Sequence, residues 1–179
     1  SSKAHLGIAL DGDADRLIVV DQKGQLVDGD QLIGMIAQFW RDKKMLKGNG
    51  VVTTKMSNIG LEQYLDTLGL NMRRTEVGDR YVLEYMKKHG FNVGGEQSGH
   101  ILCHHYSLTG DGILTALHLA DLLKQAGCSL PELVAQSFET YPQRLENVRV
   151  EDPVIRRNWH TCDAVQQAIA QAESAMGNQ

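Results

Sequence analysis

Asp11, Asp13 and Asp15 stand at alternate positions in Asp11-Gly12-Asp13-Ala14-Asp15, and Arg16 follows directly behind them. Carboxylate oxygens are hard ligands, suited to Mg²⁺ or Ca²⁺ rather than to a thiophilic metal. Three like charges in so short a stretch repel one another unless a cation or strong donors compensate them. An EF-hand loop also begins Asp-x-Asp-x-Asp, but it needs glycine at its sixth position and a bidentate acid at its twelfth. Arg16 and Gln22 occupy those positions, and the flanks read as strands, so the EF-hand fails. Two readings remain, a metal site or a solvated turn, since Asp and Gly are ordinary turn residues. Arg16 either grips a phosphate beside the metal or merely offsets the carboxylates.

A second polar cluster is Gly95-Glu96-Gln97-Ser98-Gly99-His100. A carboxylate, an amide, a hydroxyl and an imidazole between glycines can bind sugar hydroxyls, with the ligand close to the backbone. The same residues also suit a plain polar turn. The glycine spacing is wrong for a dinucleotide site. His100, Cys103, His104 and His105 invite a zinc reading, but in a strand His100 and His104 lie about 13 Å apart and cannot share one ion. Asp79 reads as a helix cap. Arg80, in the first turn of that helix, opposes the dipole and so reads as facing an anion. Lys55 carries no clear signal.

These residues need a frame to hold them. Short runs of branched residues on either side of the acidic loop, 6–10 and 17–20, form a hairpin. A helix with Leu32, Ile33, Met35, Ile36, Phe39 and Trp40 on one face follows from Asp30. Strand and helix then alternate. Val51 to Thr54 is a strand, and Asn58 caps a helix closed by Gly69. Met72 to Val77 is the next strand, and a helix from Asp79 ends in Lys87-Lys88-His89-Gly90. Strands at 91–93 and 101–104 precede a helix from about Asp111 to Gln125, with Ile113, Leu114, Leu117, Leu122 and Leu123 inward. Pro131 starts a shorter helix. This order predicts an α/β fold, a three-layer mixed, largely parallel sheet with helices on both faces. Ligands gather outside the carboxyl ends of such strands, where the loops at 55–58, 78–80 and 94–100 lie. Beyond Pro142, residues 144–150 read as an extended connector and Thr161 to Met176 as a helix, with the sequence stopping at Gly177-Asn178-Gln179. That segment is too small for its own core.

The 179 residues are 42% hydrophobic and 22% charged, enough for a packed core, and the net charge of −4 gives no electrostatic case for nucleic acid. No apolar run approaches the roughly 20 residues that cross a bilayer, and the first residues lack a signal-peptide pattern. Cys103, Cys128 and Cys162 are odd in number and show no CxxC pair, which fits free thiols in the cytoplasm.

Five stretches in this order resemble the α-D-phosphohexomutase superfamily and, within it, the phosphoglucosamine mutases. They are residues 7–16, then Met56-Ser57-Asn58-Ile59-Gly60-Leu61-Glu62, Val77-Gly78-Asp79-Arg80-Tyr81-Val82, residues 94–100, and Thr109-Gly110-Asp111-Gly112. The acidic loop marks the superfamily, and the next three stretches point to its glucosamine branch. Ala14 departs from the pattern, standing where glycine is common. The resemblance implies a four-domain enzyme that interconverts glucosamine 6-phosphate and glucosamine 1-phosphate through a phosphoserine, on the route to cell-wall precursors. By position, Asp11, Asp13 and Asp15 would bind Mg²⁺, and Arg16 would contact the transferred phosphoryl group. Glu96 and Ser98 would hold sugar hydroxyls with His100 nearby, and Asp79 and Arg80 would shape the sugar pocket.

Two parts of that pattern are missing from these residues. No serine is followed by His-Asn, as in the phosphoserine loop Ser-His-Asn-Pro, and the phosphate-binding loop Arg-x-Ser-Gly-Thr-Glu is absent. The resemblance therefore implies a fragment. Residues 1–25 would be the last hairpin of domain 2 with the metal loop, 26–140 a complete, phosphoglucomutase domain-3-like sugar-binding domain, and 141–179 a connector and the start of domain 4. It would be inactive alone, with an amino-sugar phosphate as substrate, no nucleic acid or membrane partner, and a possible homodimer in the full-length protein. Two other readings stand beside it: a stand-alone module that binds sugar phosphate or Mg²⁺, and a phosphomannomutase or phosphoglucomutase.

Overall fold

In the computed structural model, residues 4–176 are described, so Gly177-Asn178-Gln179 lie outside the described residues. The chain divides into two compact units, residues 1–142 and 143–179.

The first unit holds two sheets. Strands β1 (Leu6–Leu10), β2 (Leu17–Asp21) and β3 (Leu26–Val27) form an antiparallel sheet in that order. The turn between β2 and β3 is built on Asp21, whose Oδ1 accepts from Lys23 N–H at 2.7 Å and Gln25 N–H at 2.9 Å. The second sheet contains β4 (Gly50–Thr54), β5 (Asn71–Thr75), β6 (Val93–Gly95) and β7 (Ile101–Cys103), in the order β5-β4-β6-β7. β4 runs parallel to both neighbours, and only β7 is antiparallel. The mixed, largely parallel sheet expected from the sequence is therefore present.

Strand alternation divides the core into two layers. Val51, Ile101 and Cys103 join the large cluster with Leu32, Ile33, Ile36 and Trp40 of α1 (Gly29–Asp42) and Leu61 and Leu65 of α2 (Ile59–Thr67). Val52 and Leu102 point the other way, onto Val82 and Met86 of α3 (Asp79–His89). One-residue steps change the face, so consecutive valines in β4 serve opposite sides and all five of its residues are buried. Cys103 is one of the buried core residues, and burial pushes its thiol up to about 12. All three cysteines are free.

Helix α1 begins one residue earlier than the apolar pattern indicates, because Asp28 and Gln31 form a capping box. Asp28 Oδ1 accepts from Gln31 N–H at 3.0 Å, and Gln31 Oε1 accepts from Asp28 N–H at 3.1 Å. Helix α4 (Gly112–Ala126) corrects an expectation. It buries Thr115, Leu119 and Leu122, while Ile113 and Leu117 are 56% and 64% exposed. The two lie four residues apart on one outer stripe, which a search for leucines alone does not separate from the inner one. β5 also stops at Thr75, before Val77, since the chain turns into Gly78, with φ of +129°, to start α3. Helix α5 (Leu130–Ala135) carries Pro131 in its first turn and opens one residue before it, at Leu130, on a capping box formed by Ser129 and Glu132.

In the second unit, residues 143–152 carry no regular structure. They are followed by α6 (Pro153–Arg157), a 3₁₀ turn at Trp159–Thr161, and α7 (Asp163–Met176). None of the residues in these three elements is buried, as expected of a segment too short to build a core. Among the described residues, no helix is long and apolar enough to cross a membrane.

Asp30 is the most unusual core residue. It is fully buried in the first turn of α1, where its Oδ2 accepts from Asn58 N–H at 2.7 Å and its Oδ1 has no partner. Burial raises its pKa from 3.8 to about 6, against the pull of the Asn58 hydrogen bond. The folded chain thus holds this proton more tightly than the unfolded chain, so the contribution is full below pH 3.8 and is lost as pH rises through about 6. Asp30→Asn keeps an acceptor for Asn58 and removes the titration. Relative to the variant, the wild-type chain should lose roughly 2 kcal/mol of stability between about pH 4 and pH 7, measured by urea unfolding.

Candidate active site

The acidic loop joins β1 to β2 and is closed by its own backbone. Ala14 N–H donates to Asp11 O at 3.2 Å, and Arg16 N–H donates to Asp11 Oδ1 at the same distance. One carboxylate oxygen from each of Asp11, Asp13 and Asp15 lies within 4.8 Å of the others. Asp15 Oδ1 is buried and has no hydrogen-bond partner. Its other oxygen, Oδ2, is 3.1 Å from His100 Nδ1. Partial loss of solvent works to raise the Asp11 pKa, but the Arg16 N–H and the Arg16 charge help to outweigh it, and the group is held below its ordinary value. A converging, all-carboxylate set with an orphaned buried oxygen fits a hard divalent cation such as Mg²⁺.

Backbone from two other elements clamps this loop. Arg16 and His100 form an antiparallel bridge, and Leu17 N–H donates to Gly99 O at 3.0 Å. On the other side, Gly112 N–H, at the start of α4, donates to Ala14 O at 2.9 Å. A Cβ at Gly99 would stand 2.2 Å from Leu17 O, and one at Gly110 would stand 2.3 Å from His100 Nε2. At Gly112 it would meet Arg16 O at 2.8 Å. The Thr109-Gly110-Asp111-Gly112 stretch therefore combines two close approaches with a helix cap, for Asp111 accepts from Leu114 N–H at 2.8 Å.

The glycine-rich loop is fixed from its other end as well. Gly29 N–H at the start of α1 donates to Gln97 O at 3.0 Å, and Glu96 Oε1 accepts from Gly78 N–H at 3.0 Å. Arg16, Thr54, Met56, Val77, Glu96, Gln97 and Ser98 then line a cavity of about 440 Å³. Arg16 Nε stands 3.7 Å from Asp11 Oδ2 and 3.8 Å from Asp15 Oδ1, with its side chain 53% exposed. These are loose pairings, and the guanidinium keeps donors free towards the cavity.

The structure brings together Asp11, Asp13, Asp15, Arg16, Glu96, Ser98 and His100, with Asp79 at their margin. Asp79 does not cap α3 as expected. Gly78 is the N-cap, without a side-chain bond, and Asp79 occupies the next position with Oδ2 3.8 Å from His100 Nε2. A carboxylate at that position still faces the positive end of the helix. Arg80 turns away to Glu84, with Nε 2.8 Å from Oε1, and this bond raises the Arg80 pKa. The anion it faces belongs to its own helix. Lys55 pairs with Glu76. His104 and His105 are not part of the one carboxylate cluster found among the described residues, and His105 packs edge-on to Trp40.

Sequence reasoning missed Arg74 and Asp30. Arg74 Nη1 donates to Ser57 O at 2.7 Å, and its Nη2 reaches Glu62 Oε2 at 3.0 Å, so it fastens the loop after β4. Asn58, expected as a cap, accepts from Gly60 N–H at 3.0 Å and also bonds both backbone groups of Tyr141. A charged residue inside a strand, and an aspartate beside an apolar helix face, were the available signals.

The phosphoglucomutase/phosphomannomutase alpha/beta/alpha domain III family model matches residues 28–141. The chain is 53% identical over 175 residues to a phosphoglucosamine mutase of Picosynechococcus, covering 98% of this chain and 36% of that protein. A phosphoglucosamine mutase of Agrobacterium fabrum is 51% identical over 176 residues, covering 98% of this chain and 38% of that protein. Among solved structures, Aspergillus fumigatus N-acetylphosphoglucosamine mutase, in complex with GlcNAc-6P and magnesium, is 25% identical with a TM-score of 0.69. That match covers 87% of this chain and 40% of the fungal one. The chain thus spans little more than a third of the length of the curated relatives it matches.

Two substitutions test the backbone of the site in opposite directions. Ala14 holds φ of +59°, in the left-handed region that favours glycine. Ala14→Gly should stabilise the chain by about 0.5 to 1 kcal/mol. Gly99→Ala, which combines φ of +91° with the clash on Leu17 O, should destabilise it by about 2 kcal/mol or more. Urea unfolding measures both.

Proposed function

The chain belongs to the phosphoglucomutase/phosphomannomutase family, and from that premise we propose that it forms the metal- and sugar-holding part of a phosphoglucosamine mutase. The reaction is the interconversion of glucosamine 6-phosphate and glucosamine 1-phosphate by Mg²⁺-dependent phosphoryl transfer. The phosphoserine would come from outside these residues, which contain no Ser-His-Asn sequence. The observation that carries the proposal is the junction of two unlike surfaces at Arg16. Three carboxylates converge within 4.8 Å on one side, and a cavity walled by Glu96 and Ser98 opens on the other.

Phosphoryl transfer asks a protein mainly for positioning and charge stabilisation. Asp11, Asp13 and Asp15 would hold Mg²⁺, which when bound neutralises charge on phosphoryl oxygens. Arg16 would bind the same phosphoryl group through its free guanidinium donors. Glu96 has one oxygen engaged by Gly78 N–H, which fixes the carboxylate and leaves the other oxygen for a sugar hydroxyl. Ser98 would add a hydroxyl contact, and Met56 and Val77, 41% and 57% exposed, would give the ring apolar walls. Asp79 would shape the edge of the pocket. Arg80 would do so only after leaving Glu84. With this reading go an amino-sugar phosphate as substrate, the cytoplasm as location and a homodimer of the longer protein.

The test uses the longer protein that includes the phosphoserine loop. Asp13→Asn should lower turnover of glucosamine 6-phosphate about a thousandfold or more, while affinity for the sugar phosphate changes less than about threefold. Loss of turnover and binding together would make the loop a structural element and overturn the proposal. The 179 residues alone should show no turnover, and turnover by them would overturn it equally. A higher kcat/KM for glucose or mannose phosphates would move the substrate assignment to another branch of the family.

A further inference from the structure

Two charged side chains that the proposed chemistry leaves unused meet at one peptide group. Arg74 Nη1 donates to Ser57 O at 2.7 Å, and Asp30 Oδ2 accepts from Asn58 N–H at the same distance. That carbonyl and that N–H belong to one planar unit, so its oxygen faces a cation and its hydrogen faces a carboxylate. Arg74 comes from β5 and Asp30 from the first turn of α1. The guanidinium is itself fixed by Glu62 of α2, at 3.0 Å. Burial raises the Asp30 pKa to about 6, while the Asn58 N–H, the Ser57 hydroxyl and the Arg74 charge act against it. The carboxylate is therefore mostly ionised at neutral pH. The other charge that faces it, Asp28, acts with burial, and its Oδ2 accepts from Gln97 Nε2 of the glycine-rich loop at 3.3 Å.

We propose that Asp30 and Arg74 are a pair of positioning residues that grip the Ser57–Asn58 peptide from its two ends and thereby fix the cavity wall made by Thr54 and Met56. The proposal rests on the sugar-phosphate reading of that cavity and adds two residues to it. A peptide group between a cation and an anion is polarised along its own dipole. The two charge-assisted hydrogen bonds strengthen each other, and neither holds as well alone. The opposite segment is held from the same helical turn. Gly29 N–H donates to Gln97 O at 3.0 Å, and a Cβ at Gly29 would stand 2.2 Å from Glu96 O. Consecutive residues of one helix, Gly29 and Asp30, thus set the separation of the two segments from which Thr54, Met56, Glu96, Gln97 and Ser98 line the cavity. An ionised Asp30 lowers stability relative to its protonated form, and it stands where it places a binding wall from a rigid element.

Steady-state kinetics of the longer protein that includes the phosphoserine loop separates this role from a structural one. Lost stability lowers the folded fraction and with it the apparent kcat, whereas a displaced wall raises KM. Asp30→Leu and Arg74→Met should each raise KM for glucosamine 6-phosphate about tenfold, with kcat changed less than about threefold. The double variant should raise KM about as much as either single one, because both act on one peptide. Asp30→Asn, which keeps an acceptor for Asn58 N–H, should return KM to within about threefold of wild type. Unchanged KM in the single variants, a double effect near the product of the two, or no rescue by asparagine overturns the proposal. The 179-residue chain supplies a second measurement that needs neither turnover nor the folding of the leucine and methionine variants. The backbone amide shifts of Asn58 and Met56 should titrate together with a midpoint near pH 6 in wild type, and stay flat through it in Asp30→Asn. Absence of that titration, or titration of Asn58 without Met56, overturns the proposal. If the longer protein turns over no glucosamine 6-phosphate, the sugar-phosphate reading fails, and the titration still decides whether Asp30 holds the wall.

Discussion

Backbone lying directly on backbone is the constraint from which the site follows. Where Gly99 meets Leu17, the closest atom to a Cβ would be a carbonyl oxygen 2.2 Å away, and no side chain can be accommodated without moving one of the loops. The same holds where Gly29 rests on Glu96 O. Through these contacts the three-stranded antiparallel sheet and the four-stranded mixed sheet meet at two loops, and the contents of those loops become neighbours. The carboxylates come from one and the sugar-facing polar groups from the other. Arg16 stands at the seam, the last residue of the acidic loop and the first one bridged to the glycine-rich loop.

Helix α1 does comparable work from inside. Its buried residues bind the large core cluster, and its first turn serves two loops at once, the glycine-rich loop and the loop after β4. Gly29 N–H holds Gln97 O, while the Asp30 carboxylate holds Asn58 N–H. Asn58 then reaches Tyr141. A charged group is retained in the core although burial raises its pKa to about 6, and a neutral hydrogen-bonding residue would make the same contact to Asn58. Fixing one loop from the end of a rigid helix is what a site needs when catalysis depends on placement.

Much of this was legible in the sequence. The alternation of strand and helix, the capping residue Asn58, and the close grouping of Asp11, Asp13 and Asp15 follow from local periodicity and chemistry. What escaped was information carried by distant partners. Asp79 reads as a cap because aspartate favours that position, but Gly78, tied by Glu96, begins the helix instead. Arg80 reads as facing an external anion because a cation in the first turn opposes the helix dipole, but Glu84, four residues on along the same helix, supplies the carboxylate. Ile113 and Leu117 read as inward because α4 carries apolar residues on two stripes, and only its packing against α1 and the strands selects one. Arg74 shows in sequence only as a charge inside a strand, since the carbonyls it fastens belong to the end of β4 and the loop after it.

The bridge between Arg16 and His100 also bears on how such a sequence can drift. Side chains in paired strands alternate between faces, so a single inserted or deleted residue reverses every orientation beyond it. Between Leu10, paired with Leu17, and the bridge at Arg16, the loop has no slack to absorb such a change. Substitution can be tolerated there, as alanine at position 14 illustrates at the cost of an awkward backbone angle. A change of length cannot. The spacing of the three aspartates is therefore an inheritance of the pairing register, and lineages carrying this loop should differ in its letters while keeping its count.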